Sequence, residues 1–158
     1  MEVTTNLQRK AVTQLHRYPM VSEEQLAALD VTLWLGSTER AAEFDFTNQS
    51  TVSRRHRKVL HQFGIELKRS KSELEASGDL QLLDMERQVH QMARLKRRRN
   101  LRLQVPFWLL NSPGLVPPEG WRMNPPRANL SCADPVTLVR EHVSVSYTHL
   151  RAHETSQH

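Results

Sequence analysis

Between Gly36 and Gly64 lie two helix-forming stretches separated only by Asp45-Phe46-Thr47-Asn48. A connection that short joins neighbouring helices through a turn rather than through a domain linker. Ser37 or Thr38 can cap the first stretch, Glu39 to Phe44, where the paired Ala41 and Ala42 would let another helix approach closely. Thr47 or Asn48 can cap the second, which should run from about Gln49 to Phe63 and end at Gly64, a natural left-handed terminator. Upstream, Ser22-Glu23-Glu24-Gln25 has the form of a capping box, and Leu26, Leu29 and Leu33, with Trp34 beside them, recur at helical spacing before Gly36.

The helix expected over Gln49 to Phe63 has two unlike sides. Val52, His56, Val59 and Phe63 fall at i, i+4, i+7 and i+11 and form a seam toward the first two helices. The opposite side carries Gln49, Ser50, Ser53, Arg54 and Arg57, whose amide, hydroxyl and guanidinium groups suit base edges and phosphates in a major groove. After Gly64, Ile65-Glu66-Leu67-Lys68-Arg69 alternates as a strand does, Ser70-Lys71-Ser72 could turn, and Glu73-Leu74 could return. Helix, short helix, helix and small hairpin is the order of a winged helix-turn-helix.

A long helix should follow, starting at Ala76 or Asp79 and reaching Arg98. Leu82, Met85, Val89 and Met92, at spacings of 3, 4 and 3, form a short heptad-like seam fit for dimerisation. Twenty-odd residues span roughly 30 Å, more than a small core needs, so such a helix calls for a partner. Leu101, Leu103, Val105 and Phe107 then alternate, five prolines from Pro113 to Pro126 punctuate the chain, and another strand or helix is possible over Val136 to Val145. The expected fold class is mainly α: an N-terminal extension (1–21), a winged helix-turn-helix (22–75), a linker helix (76–100) and an irregular, truncated C-terminal segment (101–145). Residues 146–158 are expected to be a non-native tail, in which His149-x-x-x-His153 with Glu154 lacks the further ligands a metal site needs.

The chain carries 22 Lys and Arg against 17 Asp and Glu, a net +5, unevenly spread. Ser53 to Lys71 holds seven basic residues and one acid, and Arg94 to Arg102 holds six basic residues and none. Clustering of this kind attracts polyanions, nucleic acid first, although a solvated helical face has the same composition. The single Cys132 excludes an intramolecular disulfide framework. No apolar run approaches membrane-span length or a secretory signal, so a cytoplasmic protein without membrane contact is expected.

The run Ala41-Ala42-Glu43-Phe44-Asp45-Phe46-Thr47-Asn48-Gln49-Ser50-Thr51-Val52-Ser53-Arg54, the Gly64-Ile65-x-Leu67 step and Leu74-Glu75-Ala76-Ser77-Gly78 before the long helix resemble the DNA-binding domain of LysR-type transcriptional regulators. The likeness covers about Leu26 to Leu95. It implies a winged helix-turn-helix, a linker helix used for dimerisation, and a C-terminal effector-binding domain of two α/β subdomains, of which this chain would hold only the opening. By similarity, Gln49, Ser50 and Ser53 would approach bases, Arg54 would hold a phosphate and Arg69 would contact the flanking backbone. Thr47, Asn48, Thr51, Arg57, Lys58 and Lys71 complete the candidate DNA-contacting set. Ser50 stands where the family often has proline, Lys68 replaces a common aromatic, and Asp45 and His56 occupy places usually filled by aliphatic residues. Asp45 is therefore expected to face water while Phe44 or Phe46 fills the pocket, and His56 to be partly buried with its hydrogen bonds satisfied.

These features lead to the expectation of a sequence-specific DNA-binding transcription regulator that acts as a homodimer on double-stranded DNA, with the small-molecule effector site largely absent. The alternative is a helical protein-protein interaction module whose basic runs are merely solvated. No phosphate-binding glycine loop, nucleophile with a matched base or catalytic carboxylate pair is evident, so neither an enzyme nor a cofactor is expected.

Overall fold

The computed structural model describes residues 21–70, 73–110, 112–125 and 135–146. The Ser22 capping box forms in full: the Ser22 hydroxyl accepts from the Gln25 amide (3.3 Å) and the Gln25 side chain accepts from the Ser22 amide (3.2 Å), which starts α1 (Glu23–Leu35). Gly36 ends it at φ 73°, in the left-handed region. The Ser37 hydroxyl accepts from the Arg40 amide (3.1 Å) and caps α2 (Thr38–Phe44); α3 (Gln49–Phe63) follows after four residues and stops at Gly64, φ 63°.

Strands β1 (Glu66–Ser70) and β2 (Glu73–Ser77) form an antiparallel hairpin in which Glu66 is opposite Ser77 and Ser70 opposite Glu73. This pairing rules out the expected start at Ala76; the next helix, α4 (Gln81–Arg97), begins two residues after the alternative start at Asp79 and ends one residue before the expected Arg98. Ala76 and Ser77 are held opposite Leu67 and Glu66, Gly78 turns the chain at φ 132°, and the Asp79 carboxylate accepts from the Gln81 amide (3.1 Å). Glycine is required at 78, because a Cβ there would sit 3.1 Å from the Gly64 carbonyl oxygen.

The segment after α4 is more regular than its prolines imply. It contains β3 (Leu101–Gln104), α5 (Phe107–Leu110), β4 (Trp121–Met123), α6 (Pro135–Arg140) and β5 (Val145–Ser146). Its strands make a parallel sheet in the order β4-β3-β5, with Leu103 opposite both Met123 and Val145 and Gln104 opposite Ser146. Ser146, expected to begin the tail, thus pairs in a sheet. The described fold is helix-rich with two small sheets.

Helix α1 is central, which explains why it is buried well beyond the single stripe its leucines predict. Leu26, Leu29 and Leu33 pack with Val59, Ile65 and Leu83 and with the hairpin residues Leu67, Leu74 and Ala76. Its other side, Ala28, Val31, Trp34 and Leu35, packs with Ala41, Ala42 and Val52 and with Leu138 and Val143 from the C-terminal segment. Complete burial of each of Leu26, Leu29 and Trp34 contributes on the order of 2 kcal/mol. Two cores on opposite sides of α1 fix α3 on the first two helices and join the C-terminal segment to the same body.

Candidate functional site

Helix α3 is anchored by one edge. Val52 and Val59 are buried at 1% and 0% exposure and His56 beside them at 9%, whereas Phe63 is half-buried at the end of the seam. The opposite edge is open: Gln49, Ser50, Arg54, Arg57 and Lys58 are exposed, and Thr51 and Ser53 are half-buried. The Arg54 Nε donates to the Ser50 carbonyl (3.3 Å) and the Gln49 Nε2 donates to the Thr38 hydroxyl (3.0 Å), so both side chains are oriented rather than free.

Asn48 holds the N-cap position with extended backbone, yet its side chain makes no capping bond; only its carbonyl accepts, from Thr51 (2.9 Å) and Val52 (3.2 Å). No acidic residue lies in the first turn of α3, which keeps the positive end of the helix beside the exposed Gln49 and Ser50. Thr47 is half-buried just before it. Arg69 on the hairpin is exposed and donates from Nη2 to the Gly36 carbonyl (3.2 Å), tying the hairpin to the end of α1. Lys68 approaches Glu66 only at 3.8 Å across exposed surface, a pair of little energetic weight. Lys71 lies outside the described residues, as do residues 1–20, Cys132 and the histidines of the tail.

Two positions, Asp45 and His56, differ from expectation. Asp45 is half-buried and paired, its carboxylate accepting from Arg122 Nη1 at 2.8 Å, because β4 brings Arg122 against the end of α2. The same guanidinium donates to the Phe44 carbonyl and stacks 3.7 Å from the Phe44 ring centre. Phe44 in turn meets Trp34 edge-on at 5.2 Å and fills the pocket, while Phe46 is 95% exposed in the turn. His56 is buried, but its Nδ1 has no hydrogen-bond partner among the described residues. Burial first, and Arg57 second, hold its imidazole below the usual histidine range.

Helix α4 is inverted. Its buried residues are Leu83, Arg87 and Arg94, whereas Leu82, Met85, Val89, Met92 and Leu95 are 40 to 65% exposed. The inward arginine is explained by Asp30, fully buried in the middle of α1: Asp30 accepts from Arg87 Nε and from Arg102 Nη2, both at 2.8 Å. Arg102 also donates to the Val143 carbonyl (2.7 Å), and Arg87 reaches Glu141 at 3.4 Å. Burial raises the Glu141 carboxyl above its ordinary value, partly opposed by Arg87. One carboxylate thus ties α1, α4 and β3 together, a junction that sequence reading did not find. Its signal was an Asp between Leu29 and Val31 on an otherwise apolar helix.

The basic run Arg94 to Arg102 is accordingly divided. Arg94 and Arg102 point inward at 5% exposure each, while Lys96 to Arg99 are exposed. A cavity of about 440 Å³ opens between the N-terminal half of α1, the end of α2, Arg55 of α3, the end of α4, Arg102 of β3 and Arg122 of β4. Arg94 lines it, and burial, followed by the charge of Arg102, lowers its guanidinium to about 10.

Among the described residues no helix is long and apolar enough to cross a membrane and no group of three metal-ligating side chains forms. No family model matches the chain, and neither a curated protein nor a solved structure matches it.

Proposed function

We propose that this chain is a sequence-specific DNA-binding transcription regulator of the winged helix-turn-helix kind, reading the major groove with α3. The observation that carries the reading is the two-sidedness of that helix: Val52, His56 and Val59 are locked in the core while Gln49, Ser50, Arg54 and Arg57 stand on the open edge. A rigid helix with a hydrogen-bonding outer edge can read bases, and nearby cations can hold phosphates. In this reading Gln49, Ser50 and Ser53 approach bases. Arg54, Arg57 and Lys58 hold the backbone with the N-terminal residues Thr47, Asn48 and Thr51, and Arg69 of the hairpin contacts the flanking duplex together with Lys71.

The inverted α4 supports a homodimer. A helix that buries arginines and exposes Leu82, Met85, Val89, Met92 and Leu95 leaves an apolar stripe at heptad-like spacing that a second copy of α4 would cover. The parallel β4-β3-β5 sheet with intervening helices agrees with the opening of an α/β effector-binding domain. The exposed stripe equally suits a helical interaction module without DNA, and duplex binding separates the two. Fluorescence anisotropy with a genomic duplex pool should show binding that weakens steeply as salt rises; no binding at low salt would leave the interaction module as the better reading.

A further inference from the structure

We propose that the cavity between α1, α4 and β4 is a binding site for a small organic anion bearing a phosphate or carboxylate group, with Arg94 as its inner ligand. Six arginines line the cavity, Arg55, Arg94, Arg97, Arg99, Arg102 and Arg122, against the carboxylates of Glu23, Glu24 and Asp45. Most of these charges are already committed. Glu23 pairs with Arg97 at 3.4 Å, Asp45 with Arg122 at 2.8 Å, and Arg102 is held by Asp30. Among the described residues that line the cavity, Glu24 is the carboxylate left for Arg55, Arg94 and Arg99.

Arg94 is the informative member. It is 95% buried, since only 5% is exposed, and its guanidinium makes no hydrogen bond or ion pair among the described residues. The carboxylates that act on it, Asp30 and Glu23, are engaged by other arginines. A largely desolvated cation without a hydrogen-bonded counter-charge is costly, and a fold that holds one in the wall of a cavity can recover part of that cost by admitting an anion. Guanidinium forks match the paired oxygens of phosphate and carboxylate. The cavity volume of about 440 Å³ lies within the range of small-molecule sites.

The test is isothermal titration of the whole chain with pyrophosphate, citrate and, as control, chloride at matched ionic strength, repeated on R94M and on R99Q. Arg99 is exposed at the rim, so R99Q reports on the site even if R94M fails to fold. Saturable one-to-one binding of pyrophosphate or citrate, weakened about tenfold or more by R94M and several-fold by R99Q, is expected for lost charge-assisted bonds. A short duplex added as competitor tells a free anion from DNA backbone: displacement of pyrophosphate by duplex would assign the pocket to backbone phosphate and overturn the proposal, whereas independent binding supports it. Heats indistinguishable from chloride, or affinity unchanged in the folded variants, would also overturn it.

Discussion

Asp30→Asn is the most demanding perturbation of this fold, because one fully buried carboxylate holds two buried guanidinium groups at 2.8 Å each. The amide keeps the volume but removes the charge, leaving Arg87 at 0% and Arg102 at 5% exposure without their common counter-ion. Arg87 keeps only Glu141 at 3.4 Å and Asp84 at 3.7 Å, and Arg102 keeps the Val143 carbonyl. Breaking a buried pair from one side costs about 3 to 5 kcal/mol. For a chain of this size that corresponds to a loss of roughly 6 to 20 °C in Tm. Urea denaturation followed by circular dichroism measures it. The triple replacement D30L/R87M/R102M should lie much closer to the wild type than D30N, because removing every charge together leaves none stranded. A D30N cost below about 1 kcal/mol would refute the reasoning, since a junction that ties three elements together cannot be lost so cheaply.

Three further outcomes follow. His56 is held below the usual histidine range by burial and by Arg57, so the folded state binds this proton less readily than the unfolded chain. Its contribution should be complete above about pH 6.5 and decline as pH falls below it; urea midpoints measured from pH 7.5 to 5 should fall less steeply in H56L than in the wild type. Met85→Asp with Val89→Asp, at positions 55% and 65% exposed, should leave the monomer's Tm nearly unchanged, and sedimentation equilibrium should show the proposed dimer in the wild type and only monomer in the variant. Gly120→Ala should destabilise by several kcal/mol in a thermal melt, because the new Cβ would collide with the Arg98 carbonyl oxygen at a φ of +82°.

The elements with local signals were legible in the sequence. The Ser22 capping box, the glycine stops at 36 and 64 and the i, i+4, i+7 seam of α3 are decided within a few residues, and the observed helices have those ends. What escaped depended on distant partners. The choice between the two expected starts of α4, Ala76 and Asp79, is settled by Ser77 pairing with Glu66, which holds Ala76 in the hairpin and delays the helix to Gln81. The placement of Asp45 depends on Arg122, 77 residues away. Periodicity exposed the apolar stripe of α4, but its inward arginines were invisible, since a row of basic residues reads as solvated surface until Asp30 is known to lie beneath it. The open edge of α3 was readable because it is the complement of its buried seam; a cavity built from six elements leaves no comparable trace.

The central claim is that the outer edge of α3 reads bases, and a paired substitution tests it most directly. Sites are first selected by the wild type from a random duplex library, and affinity is then measured on the selected and on a scrambled duplex. Gln49→Ala should lose about 1 to 3 kcal/mol on the selected site and little on the scrambled one, whereas Arg54→Ala should weaken both alike. Equal losses from Gln49→Ala on both duplexes, or selection that returns no common sequence, would contradict the account.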